Sequence, residues 1–204
     1  MKKNTLIFAT LVSAVLTLSA CGDSSSEGTE LTSTPVEPAT SSTTASPTDP
    51  VRSPRGNIIK TVGQPAGVRI QEGSDEWALK FTVTDIQVDP VCTSVHSMPG
   101  DNGHLIALSI EATTAPEPQY STAMGSPISF DSWKVIASNG TTVNTTFSQA
   151  SVSCFEGTEM IPNSIGAGEK AVGRVVLDVP DTAGTLVYMG YGGDGWEWEY
   201  GTKK

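Results

Sequence analysis

The chain has 204 residues with a formal net charge of −10, and charged residues make up 17% of it. A hydrophobic share of 37% with so few charges excludes both a long helical coiled coil and a bundle of membrane-spanning helices. The acidic balance also opposes binding to nucleic acid, because that binding depends on Lys and Arg side chains that neutralise phosphates. We therefore expect no nucleic acid among the partners.

The first 20 residues have the pattern of an export signal. Lys2 and Lys3 precede an apolar run over residues 6–16, and small residues then lead to Cys21. The apolar run is about half as long as the roughly 20 residues that cross a bilayer. We therefore expect no transmembrane anchor.

Residues 18–21 read Leu-Ser-Ala-Cys and resemble the lipobox of bacterial lipoproteins. The resemblance implies that residues 1–20 are a lipoprotein signal peptide and that Cys21 becomes a mature N-terminus carrying diacylglycerol. Acyl chains would then hold the protein at the cell membrane, lipid-anchored on its extracytoplasmic face. The alternative is an ordinary secretory signal followed by a cysteine that is there by chance.

Residues 21–56 are predicted to be the lipidated N-terminus and a linker. Residues 22–56 include eight Ser, seven Thr and five Pro but no aromatic residue. Such a segment buries too little apolar surface to offset the entropy lost on ordering, so we expect it to be disordered. A flexible chain of this length spans roughly 30 to 35 Å, which suits a domain held away from a membrane.

Residues 57–204 are expected to form one domain, and their hydrophobic pattern is typical of β-strands. Every second residue from 77 to 83 is large and apolar, so these side chains share one face of a sheet. The alternation slips by one residue at Asp85, which predicts a β-bulge. A second alternating strand is predicted at residues 106–112.

A hairpin is predicted where Asn139-Gly140 separates strands at residues 132–137 and 142–147. Further strands are predicted at residues 58–62, 68–70, 171–179, 185–191 and 196–200. No segment after residue 56 has a convincing helical period. The prediction is therefore an all-β, antiparallel β-sandwich of eight or nine strands that follows a disordered linker.

Short motifs follow one another along this domain. They are GHLIALSI at residues 103–110, SNG at 138–140, GAGEK at 166–170 and VVLDVP at 175–180. In this order they resemble the immunoglobulin-like domains of unknown function that are common in Gram-positive surface lipoproteins and are similar to a small secreted immunogenic protein of mycobacteria. The resemblance implies an immunoglobulin-like β-sandwich outside the cytoplasm, and it supplies no catalytic residues. The usual members lack an obligatory cysteine pair, so Cys92 and Cys154 are a departure.

With Cys21 lipidated, Cys92 and Cys154 are the remaining cysteines. An even number of cysteines in an oxidising compartment predicts a disulfide bond between them. The alternative is a metal site, although zinc sites usually present two close pairs of ligands. Its ligands would be Cys92, His96, Asp101 and His104. We expect no metal ion and no cofactor.

Other signals for chemistry are weak. Residues 190–195 match the spacing of a dinucleotide-binding loop, but such a loop must lead into a helix, and residues 196–200 alternate as a strand. No serine lies in a Gly-x-Ser-x-Gly elbow, and pairs such as Glu156 and Glu159 are expected by chance in an acidic domain. We therefore predict that the protein is not an enzyme, and no catalytic residue is assigned.

Aromatic residues alternate with acidic residues in the last predicted strand. Trp196, Trp198 and Tyr200 share one face, opposite Glu197 and Glu199. We expect the aromatic face to close the sandwich core and the acidic face to meet water. The alternative is an exposed aromatic platform that binds sugars.

These features predict a membrane-anchored extracytoplasmic lipoprotein that presents an interaction module in the cell envelope. The expected partners are the membrane, through Cys21, and an envelope protein or glycan bound by loops at one end of the sandwich. Two alternatives stay open, namely a passive or accessory envelope protein and a hydrolase or metal-dependent enzyme. The sequence does not identify the ligand.

Overall fold

The computed structural model describes residues 50–190 and 195–201. The predicted signal peptide at residues 1–20, the lipidation site Cys21 and most of the predicted linker lie outside the described residues. Within the described ranges, no helix is long and apolar enough to span a bilayer.

Eight strands and two short helices form the regular structure of the described residues. The strands are β1 (Ile58–Ile59), β2 (Pro65–Arg69), β3 (Trp77–Val88), β4 (His104–Thr114), β5 (Trp133–Ala137), β6 (Lys170–Val179), β7 (Gly184–Met189) and β8 (Gly195–Tyr200). The helices are α1 (Gln119–Met124), which precedes β5, and α2 (Gln149–Ser153), which lies between β5 and β6.

The strands form two four-stranded sheets. Sheet A has the order β1-β8-β7-β5, and sheet B has the order β2-β3-β4-β6. The pairing of β1 with β8 is parallel, and the other pairings between these strands are antiparallel. Apolar side chains from both sheets meet in one buried core. This arrangement confirms the predicted all-β sandwich.

Aromatic side chains occupy the centre of that core. The ring centroid of Phe81 in β3 lies 5.3 Å from that of Tyr188 and 5.5 Å from that of Trp196. Trp196, Trp198 and Tyr200 are each at most 3% exposed. The prediction that these three residues belong to the core, and not to an exposed platform, is therefore confirmed.

The prediction that the acidic face of β8 meets water is wrong for Glu197. Glu199 is exposed, but Glu197 is only 3% exposed, because the segment before β1 folds over the outer face of sheet A. Arg55 donates from Nε and Nη2 to the two carboxylate oxygens at 3.0 and 3.1 Å, and Asn57 donates from Nδ2 at 3.2 Å. Burial raises the pKa of Glu197, but hydrogen bonds from Ser53, Arg55 and Asn57 outweigh it and lower that pKa overall.

Further backbone contacts hold this N-terminal segment in place. The Ile59 N–H donates to the Val51 carbonyl at 2.9 Å, and Arg52 forms an isolated antiparallel bridge with Ile58. Packed structure therefore begins upstream of Asn57, within the range that the sequence assigns to the linker.

The predicted β-bulge lies where the alternation slips. The register between β3 and β4 shifts between Val83 and Asp85, so that Val83 lies opposite Ile110 and Asp85 lies opposite Ser109. The extra residue lets both halves of β3 keep their apolar side chains on the core side. The bulge prediction is confirmed.

Residues 142–147 do not form a strand, contrary to the prediction. The turn at Asn139-Gly140 is present, and the Val143 N–H donates to the Val135 carbonyl at 2.9 Å. Three residues later, the Thr146 carbonyl accepts a hydrogen bond of 2.7 Å from the Asp178 N–H in β6. The segment therefore crosses from sheet A to sheet B, and local alternation does not reveal a change of sheet.

The domain contains two helices, although no segment after residue 56 shows a convincing helical period in the sequence. They have six and five residues, which is too short to show a helical period in the sequence. Helix α2 begins with a capping box, in which the backbone N–H of Ser151 donates to the Ser148 side chain and that of Ser148 donates to the Ser151 side chain.

Candidate binding cleft

A cleft of about 360 Å³ opens at the side of the sandwich where β5 and β6 are the edge strands. It is lined by residues 129–131, Phe147, Val152, residues 160–163 and residues 174–176. Most of these side chains are apolar, with a few polar groups among them. Both the size and this composition are typical of sites that bind small ligands.

The first wall, residues 129–131, is fixed against sheet A. Tyr188 donates from Oη to the Ser129 carbonyl at 2.7 Å, and Ser129 donates from Oγ to Asp131 Oδ1 at 2.7 Å. Phe130 is 4% exposed and stacks on Tyr188, with ring centroids 5.3 Å apart. This wall supplies a buried aromatic ring and an exposed carboxylate.

The second wall runs beside the edge of β6. The Arg174 N–H donates to the Glu159 carbonyl at 2.9 Å, and the Ile161 N–H donates to the Arg174 carbonyl at 3.0 Å. Gly173 is needed for this close approach, because a Cβ there would overlap the backbone of Met160 and Ile161. Residues 160–163 are thus held beside the strand.

Charges in the second wall are balanced. Arg174 Nη1 lies 2.6 Å from Glu159 Oε1, and the Arg174 guanidinium lies over the ring of Phe155, 4.3 Å from its centroid. The hydrogen bond from Thr93 is the main cause that lowers the pKa of Glu159, and those from the Glu156 N–H and Arg174 add to it and outweigh burial. Arg174 is therefore fixed in place with its charge compensated.

Phe147 and Val152 lie at the mouth of the cleft and are 37% and 54% exposed. Both belong to the segment around α2, which packs on the outer face of sheet B through a small apolar cluster. That cluster contains Leu105, Ala107, Ala150, Cys154, Phe155 and Val176. The mouth therefore depends on the packing of α2.

Cys92 and Cys154 are joined by a disulfide, with their Cα atoms 4.6 Å apart. The N–H groups of Thr93 and Ser94 both donate to the Cys154 carbonyl, at 2.9 and 3.2 Å. These contacts tie the loop between β3 and β4 to the end of α2.

The four residues that the sequence offers as metal ligands do not form a metal site. Cys92 is in the disulfide, His104 Nδ1 lies 2.9 Å from Asp89 Oδ2, and the Asp101 N–H donates to Asp178 Oδ2 at 2.7 Å. His96 is exposed in the loop between β3 and β4. Across residues 50–190 and 195–201, no three His, Cys, Asp or Glu side chains group as a metal site.

Two sequence predictions lie outside the described residues. Cys21 is not described, and neither are residues 191–194 of the glycine-rich segment that is predicted to be a turn. Both stay predictions.

Comparison with known proteins gives one similar structure to report. No protein-family model matches the sequence, and neither does any curated protein. The fold is similar to the crystal structure, at 1.5 Å resolution, of MPT63, a secreted protein from Mycobacterium tuberculosis. The TM-score is 0.43 and the sequence identity is 13%, over 70% of this chain and 97% of that chain.

The sequence alone indicates none of the cleft residues as a binding residue. Phe147 ends a segment that is predicted to be a strand. Glu159, which pairs with Arg174 of the lining, belongs to a carboxylate pair that is expected by chance in an acidic domain. The walls at residues 129–131 and 160–163 come together through the bridge between Ile128 and Ile165. No local pattern signals contacts of that kind.

Proposed function

We propose that the protein is an extracytoplasmic lipoprotein, anchored in the membrane through Cys21, whose β-sandwich binds an envelope protein or glycan. The export signal and the Leu-Ser-Ala-Cys motif support the anchor. Residues 22–49 would give a tether of roughly 26 to 32 Å. The proposal assigns a binding role and no catalytic residue.

The observation that carries the binding role is the cleft beside β6. Its volume of about 360 Å³ falls in the range of ligand sites, and Asp131, Asn163 and Arg174 add polar groups to a mainly apolar lining. A ligand seated there would cover Phe147 and Val152, apolar side chains that are 37% and 54% exposed.

The N-terminal end of the described domain and the cleft lie at opposite edges of sheet A. Residues 50–57 run along β1 and the outer face of sheet A, whereas the cleft lies beside β5, which is the opposite edge of that sheet. A domain held by its N-terminus therefore keeps the cleft accessible to a ligand in the envelope.

Binding to purified cell envelopes tests this role. The mature chain, residues 21–204 with Cys21→Ser, should sediment with envelopes in a saturable way, and Phe147→Ala should weaken this binding. Met189→Ala is the matched control, since Met189 is 41% exposed and lies outside the cleft lining. Sedimentation that is absent, or equal in all three chains, would refute binding in the cleft and favour a passive envelope protein.

A hydrolase screen of the same chain, with and without added divalent metal ions, tests the enzyme alternative. We expect no turnover above that of the buffer. Turnover that Phe147→Ala abolishes would assign the cleft to catalysis and overturn the proposal of a purely binding protein.

A further inference from the structure

The dipeptide Asn-Gly occurs twice in the chain, at Asn102-Gly103 and at Asn139-Gly140. Both asparagines are exposed, and both glycines have a positive φ, of 119° at Gly103 and 87° at Gly140. Glycine has no side chain, so its backbone nitrogen is open to a neighbouring group. An asparagine that precedes glycine is therefore prone to deamidation, in which that nitrogen attacks the side-chain amide and the amide nitrogen is lost.

The side chain of Asn102 is held by two carbonyl groups from other parts of the fold. Its Nδ2 donates to the Thr145 carbonyl at 2.9 Å and to the Asp178 carbonyl at 3.0 Å. Its backbone N–H also donates to Asp178 Oδ1 at 2.9 Å. The amide group of Asn102 can rotate only when both Nδ2 bonds break, and its loss as ammonia would leave the two carbonyls without this donor.

The side chain of Asn139 is bound in a different way. Its Oδ1 accepts a hydrogen bond of 2.9 Å from the Thr141 N–H, as in an Asx turn. This bond spans the Gly140 peptide group, so it keeps Cγ of Asn139 close to the Gly140 nitrogen. The Gly140 N–H donates to the Ala137 carbonyl at 2.9 Å, and this bond belongs to an exposed turn, which can open locally.

We propose that Asn139 deamidates in the folded protein, and that its contacts protect Asn102 from the same reaction. The two residues share one dipeptide sequence and are both exposed, so the difference between them comes from the fold. Asn102 uses its amide nitrogen to join segments, whereas Asn139 uses its amide oxygen, which the reaction retains. The reaction involves neither the cleft nor Cys21, so it is independent of the proposed binding role.

The reaction needs water and no other reagent. The Gly140 nitrogen forms a bond to Cγ of Asn139 and gives up its proton, while the Cγ–Nδ2 bond breaks and the Nδ2 group takes up a proton and leaves as ammonia. The product is a succinimide ring. Water then opens the ring at one of its two carbonyl carbons, which gives aspartate or isoaspartate at position 139. No group is oxidised or reduced, and each product adds one negative charge.

The modification should loosen the turn. The Ala137 N–H donates to the Thr141 carbonyl at 2.8 Å, and isoaspartate lengthens the backbone between these residues by a methylene group. The new carboxylate also follows Ser138, whose N–H and Oγ donate to Asp181 Oδ2 at 3.0 and 2.7 Å. Two carboxylates that lie close together repel each other. We therefore expect faster hydrogen exchange at the Ala137 amide in the modified protein.

Peptide mapping of aged protein tests this inference. The mature chain, residues 21–204 with Cys21→Ser, is incubated in mildly alkaline buffer, and the converted fraction of the peptides that contain Asn102 and Asn139 is followed by mass spectrometry. We expect deamidation of Asn139 to be about tenfold faster than that of Asn102, because the two Nδ2 hydrogen bonds of Asn102 must break first.

Two controls separate the effect of the fold from that of the sequence. Incubation in urea removes the contacts of both residues and should bring the two rates together. Asn139→Gln should abolish the conversion at this position, because the longer side chain closes a ring much more slowly. Conversion in the folded protein that is absent at Asn139, or as fast at Asn102, would overturn the inference. A rate difference that persists unchanged in urea would also overturn it, since the flanking sequence would then set the rates.

Discussion

Buried carboxylates hold the segments that surround the sandwich. Glu197 on β8 binds Arg55 and Asn57 of the N-terminal segment. Asp178 on β6 accepts hydrogen bonds from the backbone N–H groups of Asp101 and Asn102, at 2.7 and 2.9 Å. Each carboxylate thus fixes a segment that is distant in sequence to the outer face of a strand.

Glu197 should make the stability of the domain depend on pH. Its pKa is lower in the folded chain than in the unfolded chain, because burial is outweighed by hydrogen bonds from Ser53, Arg55 and Asn57. The stabilisation is therefore fully present above the unfolded pKa of about 4.3 and disappears as the pH falls through the folded pKa.

Glu197→Gln tests this dependence. The free energy of unfolding of the original chain minus that of the variant should be largest near neutral pH and should shrink in acid. Urea unfolding of both chains between pH 7 and pH 3 measures this difference. A difference that stays constant over the range would show that ionisation of Glu197 does not stabilise the fold.

At the scale of elements, the alternation of apolar and polar residues predicts a strand correctly where that strand keeps one face in the core. It predicted β8 because Trp196 and Trp198 face the core on either side of Glu197. It could not predict that Glu197 is buried, because the segment that covers Glu197 is distant in sequence. Asn57 of that segment lies 140 residues upstream. The alternation also missed α2, since a five-residue helix is not stable by itself and depends on its capping box, its apolar cluster and the disulfide.

Replacing Trp198 should strongly destabilise the sandwich. Trp198 is 1% exposed, and its ring centroid lies 5.7 Å from that of Trp133. Trp198→Ala should lower the free energy of unfolding by about 3 to 5 kcal/mol, because it leaves a cavity in the core. Val172→Ala, at a side chain that is 72% exposed, should change it by at most about 0.5 kcal/mol. Equal effects in urea unfolding would contradict the core assignment.

The disulfide should stabilise the domain and hold α2 in place. Its cysteines are 62 residues apart in sequence, and the chain-entropy model gives about 4 kcal/mol for a loop of that size. Changing both Cys92 and Cys154 to Ser should lower the free energy of unfolding accordingly and speed hydrogen exchange in α2. Peptide mapping without reductant should find the two cysteine peptides joined. Two free thiols in the isolated protein would refute the bond.

At the scale of the whole molecule, the sequence was sufficient for the sandwich but not for the cleft. The fold follows from alternation that repeats in strand after strand, such as residues 77–83 and 106–112, so each strand indicates its own buried face. The cleft arises where residues 129–131, residues 160–163 and β6 meet. Its walls are fixed by contacts such as that of Gly173 with Ile161, which only the folded chain brings together.

The proposed arrangement of the molecule combines an anchored N-terminus, a tether and a domain whose cleft lies at the edge of sheet A opposite β1. The described domain begins beside β1 and the neighbouring β8, where Arg55 and Asn57 bind Glu197, and the cleft lies beside β5 and β6. This arrangement would let one protein stay at the membrane while its domain binds a ligand in the surrounding envelope.

Mass spectrometry of the N-terminal peptide, from protein isolated out of its native membrane, tests lipid-anchored presentation most directly. The predicted result is a peptide that begins at Cys21 and carries the mass of a diacylglycerol on its sulfur. Cys21→Ala should correspondingly release the protein into the medium or leave it unprocessed. An unmodified Cys21 peptide, together with unchanged membrane retention of the Cys21→Ala protein, would contradict the anchor and with it the proposed presentation of the binding domain.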